Sequence, residues 1–83
     1  MDNEQQQKLQ EILSTEKTFE DIDRALSYAI TVTKEQNEDV AIFKRKDGIF
    51  VIIHLINTEL AIQCGYSIVF NSFDIYCKCF TKQ

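Results

Sequence analysis

The 83-residue sequence lacks proline and tryptophan and has only two glycines, Gly48 and Gly65, and three cysteines. Phosphate-binding loops and dinucleotide-binding motifs need several closely spaced glycines, so the sequence excludes both kinds of site. An odd number of cysteines does not make the disulfide framework of a small secreted domain, and we expect reduced thiols. No apolar run approaches the roughly 18 residues of a membrane-spanning helix.

The N-terminal stretch MDNEQQQKLQE is acidic and rich in glutamine, unlike a signal or transit peptide. We therefore expect a cytoplasmic protein with no membrane partner. Abundant Ile, Lys, Asn, Phe and Tyr without Pro or Trp are typical of an AT-rich genome. This composition indicates a low-GC bacterium or one of its viruses or mobile elements, and for a viral protein the location would be the host cytoplasm.

The hydrophobic and aromatic content of the chain predicts a packed core. Hydrophobic residues make up 45% of the chain, and six Phe and three Tyr are too many for a disordered protein. The length predicts a single domain over 1–83, with 1–8 frayed. The net charge is −4, and ten of the 13 acidic residues lie before residue 40. An acidic balance counts against a general nucleic-acid-binding protein.

Helical periodicity is strongest over 18–35, where the apolar face consists of Phe19, Ile22, Leu26, Ala29, Ile30 and Thr33. Thr18 can cap this helix, and Asp21 stands at the capping-box position. A shorter stripe of Leu9, Ile12 and Leu13 predicts a brief first helix.

The stretch DVAIFKRKDGIFVIIHLI, residues 39–56, predicts a β-hairpin. With Asp47-Gly48 as a two-residue type I′ turn, Ile42 pairs with Ile53 and Ala41 with His54. Both faces of the second strand are apolar, although an antiparallel sheet usually has one polar side.

The segment 57–65 fits either a short helix capped at Asn57 or Thr58 and stopped by Gly65, or an alternating strand, and the agreement of the cap with the stop favours the helix. Next, 66–70 and 73–80 are predicted to form a second hairpin about Asn71-Ser72. The predicted fold is α+β: a two-layer domain in the order α-α-β-β-(α)-β-β. Its four-stranded antiparallel sheet of two hairpins has an amphipathic helix on one face.

The residues suited to catalysis or metal binding are few. His54 has no partner at a recognisable spacing, so we interpret it as a structural or interface histidine. Together with Cys64, Cys77 and Cys79 it would make a Cys₃His metal site, but the spacing lacks the C-x2-4-C knuckle of structural zinc sites. We therefore expect no metal, no cofactor and no catalytic residue, and a Cys/His metal protein is kept as an alternative.

Three surfaces are candidates for binding. The acidic helix face could dock on a basic protein surface, although such faces are usually only solvated. The second face of the sheet needs a cover, which could be the N-terminal helix, the 58–64 helix or a second protein molecule. One short helix with three apolar residues is too little, so we expect a partner protein or a second copy. The basic hairpin tip could contact phosphates, although three charges at a turn more often form a solvated tip that protects the sheet edge. These surfaces consist of Glu16, Glu20 and Asp23; of Phe43, Phe50, Ile52, His54 and Ile56; and of Lys44, Arg45 and Lys46.

Together these features favour a small non-enzymatic protein-binding module. In size and composition the chain resembles phage-encoded host-takeover and anti-defence proteins, including anti-CRISPR proteins. That resemblance implies steric inhibition of a larger macromolecular machine, with acidic residues occupying a channel that otherwise holds nucleic acid. The alternative is a nucleic-acid-binding accessory factor that uses the basic hairpin tip. Of these two hypotheses, the sequence favours protein binding over direct nucleic-acid binding. A protein-binding module of this kind could also form a homodimer.

Overall fold

A computed structural model of the chain describes residues 16–80 and shows an α+β domain with one open antiparallel sheet, which confirms the predicted fold class. The strands are β1 (Lys17–Phe19), β2 (Val40–Lys44), β3 (Phe50–His54) and β4 (Ser67–Phe70). The helices are α1 (Ile22–Glu35), α2 (Thr58–Gln63) and α3 (Ser72–Phe80), with a 3₁₀ helix at Leu55–Asn57. The first predicted helix, with Leu9, Ile12 and Leu13, lies outside the described residues.

The β2–β3 hairpin occupies the centre of the sheet, whose strand order is β1-β3-β2-β4. Its turn differs from the predicted one. The Arg45 N–H donates to the Ile49 carbonyl at 2.8 Å, the Gly48 N–H donates to the Arg45 carbonyl at 3.0 Å, and Gly48 has φ +91°. A three-residue loop with glycine in the left-handed region therefore replaces the two-residue turn.

The longer loop shifts the register by one residue, so the predicted pairing was wrong. Ile42 lies opposite Ile52 rather than Ile53, and His54 lies opposite Val40 rather than Ala41. Successive side chains of a strand point to opposite faces. A shift of one residue therefore changes which residues of β2 and β3 share a face of the sheet.

The helix predicted from residue 18 starts later. It begins at Ile22, where the extended Asp21 is the N-cap and its carboxylate accepts from the Asp23 N–H at 3.0 Å. Thr18 is not a cap, because Lys17–Phe19 forms an edge strand that pairs with β3. The helix ends at Glu35, the predicted end, and buries Ala25, Ala29 and Val32.

The second predicted hairpin was wrong, because the segment that follows β4 is helical. Asn71 Oδ1 accepts from the Asp74 N–H at 2.8 Å, and Asp74 Oδ2 accepts from the Asn71 N–H at 3.3 Å. This reciprocal pair is a capping box that starts α3, where the sequence analysis placed a turn. Ile75 and Cys79, four residues apart, are the buried residues of α3.

The segment 57–65 forms the predicted short helix, α2. Gly65 follows its end with φ +86°, and the Gly65 N–H donates to the Ile62 carbonyl at 3.0 Å. A glycine in the left-handed region just past the last turn is a common way to end a helix. Within 16–80, no helix combines the length and the apolar character needed to cross a membrane.

Two hydrophobic clusters lie on opposite faces of the sheet. One cluster lies under α1 and α3 and contains Val40, Ile42 and Ile52, with Phe50 partly buried beside them. Against α2 pack Ala41, Phe43, Val51 and Ile53. The predicted helix-covered face therefore exists, and α2 contributes to covering the other face.

Candidate functional site

His54 ends β3 between two carboxylates from distant parts of the chain. Its Nδ1 lies 3.1 Å from Glu16 Oε1, and its Nε2 lies 2.7 Å from Glu38 Oε1. The His54 backbone N–H also donates to Glu16 Oε2 at 2.9 Å. These contacts join the residue before β1 and the segment between α1 and β2 to the end of β3.

The geometry of this cluster favours the imidazolium form of His54. A neutral imidazole carries one N–H and can donate to only one carboxylate, whereas the protonated ring donates to both. Burial lowers the pKa of His54, but hydrogen bonds and charge from Glu16 and then Glu38 outweigh it. The net effect raises the pKa above 6.5.

The two carboxylates differ in exposure. The Glu16 side chain is only 7% exposed, while that of Glu38 is 45% exposed. Beside them lies a cleft of about 430 Å³ that Tyr28, Val32 and Gln36 also line. Because each ring nitrogen of His54 faces a carboxylate, the cluster is suited to holding a proton and joining three segments rather than presenting a free base.

The sequence indicates no partner for His54, so this cluster was not predicted. Its partners are 38 and 16 residues away, and neither spacing matches a known motif. A pointer to one of the partners exists only once the hairpin register is known. In the correct register Val40 lies opposite His54, which places Glu38, two residues before Val40, diagonally across the hairpin from His54.

Next to Glu38, two exposed aliphatic residues lie beside two acidic residues. We call Glu38, Asp39, Leu55 and Ile56 the acidic shelf. These four residues and His54 line one shallow depression. The Leu55 N–H donates to the Asp39 carbonyl at 3.0 Å, which ties the 3₁₀ helix to the segment before β2. Leu55 is 50% exposed and Ile56 88% exposed, so two large aliphatic side chains face solvent next to two acids.

The predicted acidic helix face is not one surface. Glu20 and Asp23 are exposed near the start of α1. Glu16, in contrast, precedes β1 and is engaged by His54, because residues 17–19 form a strand rather than the first turn of a helix. Glu38 and Asp39 follow the other end of α1, a helix of 14 residues and about 21 Å.

The predicted apolar interface face is also divided. Phe43 is fully buried in the α2-side cluster, while Ile52 is buried in the other cluster with Phe50 packed against it. Ile56 lies beyond the sheet in the 3₁₀ helix. The prediction of one exposed face was therefore wrong. Phe50 and Ile52 share the face of His54, but α1 packs against it, and Phe43 lies on the other face because the register is shifted by one residue. Ile56 and His54 do meet at the acidic shelf.

The basic hairpin tip is partly neutralised. Arg45 forms an ion pair with Asp47, with Nε 3.1 Å from Oδ1. This hydrogen bond and the Ile49 N–H lower the pKa of Asp47 to about 2. Lys44 Nζ lies 5.9 Å from the centroid of the Phe50 ring, and Lys46 is exposed.

The cysteines do not gather with His54. Cys64 packs against the α2-side cluster. Cys79, a residue of α3, is buried in the cluster on the opposite face, and Cys77 is exposed. Among residues 16–80, no group of three or more His, Cys, Asp or Glu side chains has the arrangement of a metal site.

Comparison of the chain with protein-family models, with curated proteins and with solved structures finds no match. The features that bear on its function are therefore the acidic shelf and the His54 cluster.

Proposed function

We propose that this chain is a small, non-enzymatic protein-binding module that inhibits a larger nucleic-acid-binding machine by covering a basic surface of it. The acidic shelf carries this proposal. Ile56, with 88% of its surface exposed, stands next to Leu55 in a depression that Glu38 and Asp39 also line. Glu38 and Asp39 give this depression a net negative charge when Glu16, which also faces the protonated His54, is counted with them. Exposed aliphatic groups beside a net negative charge suit a partner that is apolar at the contact and basic around it.

The two parts of the shelf have different roles in binding. Burial of Ile56 and Leu55 in a pocket of the partner supplies most of the affinity, as a few buried anchors do in protein interfaces. Glu38 and Asp39 attract the basic surface and set the orientation. The inhibition is steric, because a bound domain excludes nucleic acid from the surface it covers. This mode of action is that of the phage-encoded anti-defence and host-takeover proteins that the chain resembles in size and composition.

The test is affinity capture from a host lysate with and without nuclease, using the full chain and matched variants. We expect wild type to retain a nuclease-resistant, stoichiometric partner, and Ile56→Ser to weaken its binding by about ten-fold or more. Ile62→Ser is the control, because Ile62 is an isoleucine of α2 that is 58% exposed but does not line the shelf. It should bind as wild type does.

Two further variants separate this proposal from its alternatives. Binding that survives Ile56→Ser but is lost on Glu20→Lys with Asp23→Lys would assign the interface to the start of α1. Partners that disappear with nuclease, and are lost when Lys44, Arg45 and Lys46 become alanine, would assign the function to the basic hairpin tip and nucleic acid.

A further inference from the structure

The outward side of α3 carries an apolar stripe from one end of the helix to the other. Phe73 is 70% exposed, Tyr76 52% and Phe80 66%, and Cys77 is exposed between them. These residues stand at positions i, i+3, i+4 and i+7, which share one side of a helix. The buried residues of α3 lie on its other side. We call Phe73, Tyr76, Cys77 and Phe80 the α3 stripe.

The α3 stripe has the character of an interface. Apolar side chains that are exposed singly are common on soluble proteins, whereas a contiguous group of them marks a contact surface. The rings of Tyr76 and Phe80 lie with their centroids 4.7 Å apart, so they form one continuous aromatic surface. None of the four residues lines the depression of the acidic shelf, and the proposed function therefore does not account for them.

The sequence of the α3 stripe is symmetric, which suits a second copy of the same helix. From either end it has a phenylalanine, two intervening residues and a central pair, F-x-x-Y-C-x-x-F. A twofold axis between residues 76 and 77 relates two antiparallel helices in an isologous contact. It places Phe73 of each copy opposite Phe80 of the other, and the two Tyr76–Cys77 pairs meet at the centre. Each outer ring therefore faces another ring.

The charged residues of α3 fit the same antiparallel arrangement. Asp74 and Lys78 are four residues apart and share one side of the helix, where Lys78 Nζ lies 5.2 Å from the Phe70 ring centroid. About the same axis, Asp74 of one copy lies about 1.5 Å along the helix direction from Lys78 of the other, and this happens twice. A parallel pair would instead bring like charges together. The charges therefore select the antiparallel dimer.

The charges beside the α3 stripe are also of both signs. The net charge of the chain is −4, so two copies repel each other over much of their surfaces. Lys34 and Asp39 line a pocket together with Tyr76 and Phe80, which puts one base and one acid next to the stripe. Acidic repulsion is therefore not concentrated at this contact.

We infer that two copies of the chain form a symmetric dimer in which their α3 helices pack antiparallel through the α3 stripe. Each copy contributes one helix of nine residues, about 13.5 Å long. Such a contact is smaller than the roughly 800 Å² per partner of a standard interface, so the dimer is weak, with a Kd on the order of 100 µM.

This dimer goes beyond the proposed function and has different anchors. Asp39 lines both the acidic shelf and the pocket beside Tyr76, so the two surfaces are neighbours. The anchors of the shelf are Leu55 and Ile56, however, and Phe73 stands at the start of α3. Ile56→Ser should therefore dimerise as wild type does, and either proposal can fail without the other.

The first test is sedimentation equilibrium of the full chain over a concentration series up to about 1 mM. We expect a monomer–dimer equilibrium, and Phe73→Ser should raise its Kd by about ten-fold or more, because each dimer loses two packed rings. Ile62→Ser is the control, since Ile62 is 58% exposed on α2 and lies outside the stripe. Far-UV circular dichroism checks that both variants keep the fold.

A charge change tests the antiparallel arrangement. Lys78→Glu should raise the Kd, because two acids then face each other at each end of the contact. Lys46→Glu changes the net charge by the same amount at the exposed hairpin tip and should leave the Kd within about two-fold of wild type.

Thiol alkylation locates the contact within the dimer. Cys77 lies in the stripe, whereas Cys64 packs against the α2-side cluster on the other face of the sheet. Alkylation of Cys77 by iodoacetamide should slow as the protein concentration rises through the Kd, and that of Cys64 should not. Phe73→Ser should remove the protection of Cys77.

Two results would overturn this inference. One is a protein that stays monomeric at all concentrations up to about 1 mM. The other is a dimer whose Kd does not change on Phe73→Ser and whose formation does not slow the alkylation of Cys77, since that dimer would use another surface.

Discussion

At the scale of single residues, the protonation state of His54 depends on neighbours that the fold supplies. The two ring nitrogens face Glu16 and Glu38, and both contacts are hydrogen bonds only when the ring is protonated. Glu16 also accepts a hydrogen bond from the His54 backbone N–H, which does not depend on the protonation of the ring. When the imidazole loses its proton, the hydrogen bond to the exposed Glu38 is therefore the first to be lost. The junction of β1, β3 and the segment before β2 is therefore sensitive to pH.

We predict that this cluster stabilises the fold more at low pH than at high pH. The pKa of His54 is raised in the folded state from 6.5. Its contribution is therefore fully present below the unfolded value, near 6.5, and is lost as the pH rises through the higher folded value. The measurement is the titration of the His54 imidazole by NMR.

In that titration Glu16→Gln should lower the midpoint, and Glu38→Gln should lower it less, because Glu16 makes the larger contribution. A wild-type midpoint at or below that of an unfolded peptide would contradict the cluster.

At the scale of secondary-structure elements, α3 shows how two periodicities compete in one segment. The alternation of Phe73, Ile75, Cys77 and Cys79 fits a strand, and the spacing of Ile75 and Cys79 fits a helix. The capping box of Asn71 and Asp74 agrees with the helix. It satisfies backbone N–H groups at the helix start, which a two-residue turn would not require.

Replacing two neighbouring apolar residues distinguishes the helix from the strand. Ile75 is fully buried, so Ile75→Ala should lower the free energy of unfolding by about 2–5 kcal/mol. Phe73→Ala should change it by about 0.5 kcal/mol or less, because Phe73 is exposed. On a strand both side chains would share one face, and similar losses in urea unfolding would contradict α3.

The elements that could be predicted have local signals. α1 has an apolar stripe, the β2–β3 hairpin has Asp47-Gly48 between two apolar runs, and α2 has a glycine stop. β1 has no such signal, because its pairing with β3 joins residues more than 30 positions apart. The His54 cluster could not be predicted for the same reason, since it depends on β1 and on the hairpin register.

At the scale of the whole molecule, one hairpin supports two cores. β2 and β3 contribute alternate side chains to the cluster under α1 and α3 and to the cluster under α2. This arrangement explains why β3 is apolar on both faces. Damage to one cluster should therefore affect helices on the opposite side of the sheet.

We predict that Ile53→Val, a change in the α2-side cluster, lowers the free energy of unfolding by about 0.5–1.5 kcal/mol. The loss should be equal whether unfolding is followed by helix circular dichroism or by the fluorescence of Tyr66, which packs against that cluster. Replacing Tyr28 and Tyr76 by phenylalanine isolates the Tyr66 signal. A shift in the fluorescence transition alone would show that the two faces unfold separately.

The strand order β1-β3-β2-β4 also bears on how the chain folds. The central pair of strands joins residues close in sequence, with Lys44 opposite Phe50. The outer pairs join residues far apart in sequence, such as Thr18 with Val51 and Phe43 with Ile68. Short loops close at a lower entropic cost than long ones, so the hairpin is the part of the sheet that can form first. Substitutions within it should slow folding, whereas substitutions in the outer strands should mainly accelerate unfolding.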